Sequence, residues 1–167
     1  MLLLVRHGET AANAAGKLLG RADPPLTAVG CRQARALAAV LPEGARVISS
    51  PLGRAMQTAA LLSGVPEDEL SVDPRWIELD YGELDGRPAG ALAPDSWRRW
   101  AADPSWRPPG GESLADVAAR VGQACDELAV GGADVVVVSH VSPIKAAVAW
   151  ALGVGPEIAW RMRADLA

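Results

Sequence analysis

Cysteine, histidine and runs of basic residues are scarce in this chain, and each scarcity narrows what it can do. The two cysteines, Cys31 and Cys125, lie far apart and match no metal-ligand or redox spacing, so they are expected as free thiols, both in the core, in a reducing compartment. Two histidines without clustered carboxylates supply few metal ligands, and no metal or other cofactor is expected. No basic tract is long enough to follow a nucleic-acid backbone, and a net charge of -4 offers a polyanion no general attraction, so nucleic acid is not expected as a partner. An anionic ligand must therefore be held by a local basic site. No apolar stretch approaches membrane-spanning length, and the N-terminus lacks a basic region followed by a longer apolar core, so a cytoplasmic protein with no membrane partner is expected. Repeats, low-complexity segments and linkers are missing as well. A chain of 167 residues, 50% hydrophobic and 22% charged, suits one domain that buries about two-thirds of its unfolded surface.

What is present begins with Leu2-Leu3-Leu4-Val5, four apolar side chains that read as a strand buried on both faces and stop at Arg6-His7-Gly8. The pattern recurs where Val135-Val136-Val137-Val138 runs into Ser139-His140. Each histidine thus sits at the end of an apolar strand. Two such parallel strands lying side by side bring both imidazoles to the sheet edge where α/β folds open to ligand.

Between them the reading alternates. Residues 9–25 are loop-like or weakly helical. Thr27 caps a helix with Val29, Leu37 and Leu41 on its apolar face, ended by Pro42. Residues 46–49 form a second strand, and Ser50-Pro51 reads as an N-cap with proline at the first helical position, opening a helix that carries Arg54 in its first turn and stops at Gly64. Residues 70–73 are a brief third strand, and 76–86 an irregular loop marked by Gly82 and Gly86. The segment 87–111, in which Trp97, Trp100 and Trp106 alternate with Arg98, Arg99 and Arg107, is an excursion over the sheet with one short helix, and packing explains it better than a substrate lid. Ser113 to Asp116 resembles a capping box and opens the clearest amphipathic helix. Ser142-Pro143 is a second cap-plus-proline start for a helix closed by Gly153, and residues 154–167 show no clear element. Strands alternating with helices predict an α/β fold, a three-layer helix/sheet/helix arrangement with a mostly parallel sheet.

Three strand-to-helix junctions then carry Arg6-His7, Arg54 and His140 to one edge. Two guanidiniums, two imidazoles and helix N-termini suit a tetrahedral oxyanion, phosphate above all. Gly8 lets backbone approach such an anion, and neighbouring cations disfavour protonation of an imidazole, which keeps a lone pair available for attack on phosphorus. Expelling an alkoxide requires an acid. Residue chemistry leaves Glu9, Glu78, Asp80 and Glu83 open for that role.

The run Leu4-Val5-Arg6-His7-Gly8-Glu9-Thr10, with Asn13 after it, resembles the signature of the histidine phosphatase superfamily, also called phosphoglycerate mutase-like. The resemblance continues through Pro25-Leu26-Thr27, residues 49–59, Glu78 with Gly82, Gly110-Gly111-Glu112-Ser113 and Val138-Ser139-His140, in the family's order and over almost the whole chain. It implies that His7 is transiently phosphorylated, that Arg6, Arg54 and His140 clamp the phosphoryl group, that Asn13 adds a hydrogen bond and that Glu78 serves as acid and then base. No metal is implied. The chain departs from the pattern after His140, where small glycine-like residues and then an arginine are usual and Val141-Ser142-Pro143-Ile144-Lys145 stands here, although the Val141 amide still faces the phosphate in this reading. A further strand after the last helix is also implied, and within 1–167 it is either missing or cut short.

The function so implied is that of a metal-independent phosphomonoesterase of the histidine acid phosphatase type, acting on a small phosphorylated metabolite. Its physiological substrate and oligomeric state are not legible. Two alternatives stand beside it: a mutase that returns the phosphoryl group to substrate, for which the chain is compact, and a phospho-ligand binding domain without turnover.

Overall fold

The computed structural model describes residues 1–91 and 93–164. Four strands, β1 (Leu2–Arg6), β2 (Arg46–Ser49), β3 (Ser71–Val72) and β4 (Val135–Ser139), form one sheet in the order β1-β4-β2-β3, with every pair parallel. The valine strand lies in the interior, hydrogen-bonded on both sides, which is why it carries no polar residue before Ser139. All five of its residues are buried, and each valine contributes about 1.5–3 kcal/mol by leaving water.

Successive side chains of a strand point to opposite faces, and two cores follow from that alternation. On one face Leu2, Leu4, Ile48, Val135 and Val137 meet the helix α5 (Leu114–Val130) and α6 (Val141–Leu152), together with Trp76, Leu79 and Trp100. On the other, Leu3, Val5, Val47, Val136 and Val138 meet α3 (Gly53–Ser63) and the end of α2 (Ala28–Leu37). The expected three-layer arrangement is therefore present. A one-turn helix α1 (Ala11–Ala14) and a helix α4 (Pro94–Ala102) complete the set.

Several local expectations are corrected. Val29 is exposed, and α2 buries Gly30 and Ala34 instead. The reason is close packing of backbone: a Cβ on Gly30 would lie 2.2 Å from the Glu9 carbonyl oxygen, and one on Gly8 would lie 2.5 Å from that of Gly30. The glycine after His7 is thus required by the helix packed behind it. Helix α3 begins at Gly53, not after Ser50, and its first amides are capped by Asp23, whose carboxylate accepts from Gly53 N (2.6 Å) and Arg54 N (3.3 Å). Helix α6 begins at Val141 with His140 in the capping position, so Ser142-Pro143 lies inside its first turn. Cys31 is only half-buried whereas Cys125 is core, and both are free thiols. The tail has an element after all, a 3-10 helix over Pro156–Arg161. The expected C-terminal strand has no counterpart among the described residues, and residues 165–167 lie outside them.

The tryptophan-rich excursion packs, as its spacing implies. Trp97 and Trp100 share one face of α4 and stack at 5.6 Å, while Arg98 pairs with Asp95 on the solvent side.

Candidate active site

The parallel register sets the site. Arg6 is level with Ser139, and Ser49 is level with Val138, so His7, His140 and Ser50 leave the sheet together at its C-terminal edge. His7 N still donates to Ser139 O (3.0 Å) and Ser50 N to Val138 O (2.9 Å), which extends the ladder one residue and fixes where the side chains emerge. The two imidazole centroids lie 5.1 Å apart with planes at 56°.

Both rings are buried, His7 to 3% exposure and His140 to 0%. His7 Nδ1 sits 2.7 Å from the carbonyl oxygen of Gly8. A carbonyl only accepts, so Nδ1 carries the proton and Nε2 carries the free lone pair. Burial, followed by the nearby positive charge of Arg54, drives the His7 pKa down to about 3, against an opposing contribution from the Gly8 hydrogen bond. His140 is pushed well below its ordinary value by the same burial and by Arg54. Its Nε2 lies 2.7 Å from Ser50 Oγ, and its Nδ1 has no hydrogen-bond partner among the described residues. Ser50 is a site residue that sequence reasoning took for a helix cap. Its signal was its place at the end of the strand adjoining the valine strand.

Arg54 is fully buried. Its Nη1 donates to Ala22 O (2.7 Å) and to Asp23 Oδ1 (3.3 Å), and Nη2 to Gly20 O (2.8 Å), while Nε has no hydrogen-bond partner among the described residues. The guanidinium therefore staples the 20–23 loop to α3 and is already in position. Arg54→Met, close in length but neutral, is expected to lower stability by about 2–4 kcal/mol because two carbonyls and the Asp23 carboxylate lose their donor. Urea denaturation of the variant measures this, and an unchanged midpoint would mean that the loop is held by something else. Arg6, at the end of β1, donates through Nη1 to Ala164 O (2.8 Å).

Of the four acids left open by residue chemistry, one reaches the edge. Glu78 is buried to 3% exposure, and its carboxylate accepts from Leu79 N (2.7 Å), Val141 N (3.0 Å) and Ser142 N (3.2 Å), which places it on the N-terminus of α6. The Val141 amide is thus engaged by Glu78. Arg120 fixes the loop that carries this acid: it donates to the carbonyls of Arg75 and Glu78 and forks onto Glu112 at 2.9 and 3.0 Å. Glu9 instead accepts from the Thr27 hydroxyl (2.7 Å), Asp80 holds the Gly82 turn, and Glu83 is exposed. Asn13 closes a capping box with Thr10, its Oδ1 accepting from Thr10 N (3.1 Å). No hydrogen bond among the described residues joins Asn13 to the imidazoles. Groups of three or more His, Cys, Asp or Glu arranged to hold a metal ion are absent among the described residues, and none of the described helices is long and apolar enough to cross a membrane.

The buried imidazole also makes stability depend on pH. Unfolded, His7 takes up a proton near 6.5, but folded it does so only near 3. Across that window the unfolded chain binds more protons, so stability must fall as pH is lowered through 6.5, by about 1.4 kcal/mol per unit for this residue alone. Urea unfolding at pH 7 and pH 5 is expected to show a loss of about 2 kcal/mol from His7. Equal stabilities at the two pH values would show that the fold does not hold His7 below its ordinary pKa.

A family model described as histidine phosphatase superfamily (branch 1) matches residues 2–167. A bifunctional protein of Mycobacterium tuberculosis, Rv2228c, is 41% identical over 99% of the chain and 48% of its own length, so the chain spans about half of that relative. GpmB of Yersinia enterocolitica, named as a probable phosphoglycerate mutase, is 37% identical over 97% of the chain and 79% of its own length. The solved structure of a mycobacterial glucosyl-3-phosphoglycerate phosphatase in complex with VO3 superposes with a TM-score of 0.83 at 31% identity, over 97% of this chain and 86% of that one.

Proposed function

Because the chain belongs to the histidine phosphatase superfamily (branch 1), we propose that residues 1–167 act as one metal-independent phosphomonoesterase domain that hydrolyses a small phosphorylated metabolite through a phosphohistidine on His7. The observation that carries this reading is the neutral imidazole pair 5.1 Å apart, with the His7 Nε2 lone pair set free by the Nδ1 contact to Gly8 O.

In the first step Nε2 of His7 attacks phosphorus in line with the ester oxygen. The N–P bond forms, the P–O bond breaks, and the Glu78 carboxyl gives its proton to the departing alcohol. In the second, water attacks the phosphohistidine, Glu78 takes the water proton, and cleavage of the N–P bond returns the lone pair to Nε2. Arg6 and Arg54 neutralise the equatorial oxygens, a part that magnesium plays in many other phosphoryl-transfer sites, and His140 joins them as an uncharged hydrogen-bonding group. Asn13 and the Val141 amide serve as further donors in this reading. The incoming phosphoryl group must compete with Glu78 for the Val141 amide, and displacing the carboxyl from the helix start frees it to meet the ester oxygen. Ser50 acts through His140 as a positioning residue.

A screen of phosphorylated metabolites for phosphate release, with and without a strong chelator, tests the proposal. Chelator-insensitive release supports it, and release that depends on added metal overturns it. The likeness to GpmB favours a second reading, in which the phosphoryl group returns to substrate. The same incubations separate the two, since hydrolysis accumulates free phosphate and a mutase accumulates an isomerised ester.

A further inference from the structure

Beside the phosphate cradle lies a cavity of about 110 Å³. It shares Val141 and Ser142 with the cradle, and the amides of both residues hold the Glu78 carboxylate. The proposed acid therefore stands on the boundary between the two compartments. An ester oxygen that receives its proton must lie at that boundary, and whatever the oxygen carries projects away from the cations and into the cavity.

The walls describe what fits. Leu79, Tyr81, Trp97, Trp100 and Trp160 supply apolar and aromatic surface, with Trp160 at 38% exposure. Polar groups are few, and two of them are donors without a hydrogen-bond partner. Trp100 is buried to 2% exposure, and its indole N–H has no hydrogen-bond partner among the described residues. Lys145, on α6, is half-buried, makes no hydrogen bond or ion pair with a described residue, and has its affinity for a proton lowered by that burial. The Tyr81 and Ser142 hydroxyls interact with one another. A sugar needs several acceptors as well as donors around it, and these walls do not offer them. A flat ring needs aromatic walls and space, and an apolar cavity of about 150 Å³ accommodates benzene. This cavity is smaller, so a single ring is the most it takes, with one edge left at the exposed Trp160 rim.

Resting on the phosphatase reading, we propose that this cavity receives the alcohol portion of the substrate, and that this portion is a flat, largely apolar ring with hydrogen-bond acceptors on its edge, met by Lys145 and the Trp100 N–H.

Two measurements keep the proposal and its premise apart. Calorimetric binding of benzylphosphonate and methylphosphonate, neither of which has a scissile P–O–C linkage, reads the cavity without turnover. Benzylphosphonate is expected to bind about 10-fold more tightly, from ring burial and aromatic contact. The ratio is expected to fall toward 1 in Trp160→Ala, which removes a rim side chain without opening the core. A carboxyl group on the benzyl ring is expected to tighten binding further, and Lys145→Met to remove that gain. Equal affinities in the wild type, or a ratio unmoved by Trp160→Ala, overturn the assignment; a carboxyl that weakens wild-type binding overturns its acceptor part. Phosphate release from benzyl phosphate and glycerol phosphate, whose alcohols have similar basicity, gives the other measurement. No release from either, with the binding preference intact, sinks the hydrolase reading and leaves the cavity assigned. Release from both at equal kcat/KM sinks the ring preference alone.

Discussion

Replacing His7 by alanine is expected to lower phosphate release by at least about 10⁴-fold, to the level left by binding and electrostatics without a nucleophile. The size of the effect follows from the geometry. Among the described residues the ring close to His7 is His140, 5.1 Å away and held through Nε2 by Ser50 Oγ, and bringing it into line for attack would break that bond. Rapid alkaline quench of the wild type with substrate, followed by intact mass without acidification, is expected to show a protein fraction heavier by one phosphoryl group, stable in alkali and labile in acid. In His7→Ala that fraction should vanish. Since the alanine variant enlarges the cradle without adding a charge, phosphate binding through Arg6 and Arg54 should persist, which separates lost chemistry from lost folding. Hydrolysis at the wild-type rate in His7→Ala would remove the phosphohistidine route altogether.

The second large effect belongs to Glu78. Exchange for glutamine preserves shape but removes the transferable proton, and general acid catalysis by a positioned side chain accounts for roughly 10²–10⁴-fold in rate. The loss should not be uniform. An alkyl phosphate, whose leaving alkoxide needs a proton, should show the whole deficit in kcat. A nitrophenyl phosphate, whose phenolate departs unassisted, should show far less in the phosphorylation step. A Glu78→Gln defect independent of leaving group would assign the residue to positioning the start of α6, where its oxygens accept from Val141 N and Ser142 N. The distinction matters because the same hydrogen bonds serve either role.

The parts of this molecule legible in its sequence are those in which chemistry is local. Unbroken apolar runs at 2–5 and 135–138 can be satisfied only by a strand covered on both faces, and the residue after each run must appear at the sheet edge. Thr27 and Ser113 cap helices with their own hydroxyls, and each was readable from its neighbours. Misreadings arose where a distant partner overrode a local motif. Ser50-Pro51 has the form of a helix start, but the Ser50 hydroxyl is taken by His140, ninety positions away, and Asp23 caps α3 from thirty positions before it. Val29 fits an apolar periodicity, yet the surface that packs is the small one, because the neighbouring strand end carries a glycine of its own. The same limit applied to the acid. Four carboxylates occupy similar loops in the sequence, and the difference between them is the Arg120 clamp, which brings Glu78 to a helix that begins sixty-three residues later.

The staple that Arg54 makes to Gly20 and Ala22 divides the molecule into a part that resists change and a part open to it. Because the cation is immobilised by main-chain acceptors before any ester arrives, residues 20–23 form a chassis whose alteration would disturb every substrate alike. The cradle reaches the C-terminal tail through Arg6 at Ala164, beyond the tryptophan wall contributed by α4 and Pro156–Arg161. Retailoring this catalyst toward new esters, in a laboratory or by drift, should therefore proceed by rewriting that wall while the stapled loop stays as it is.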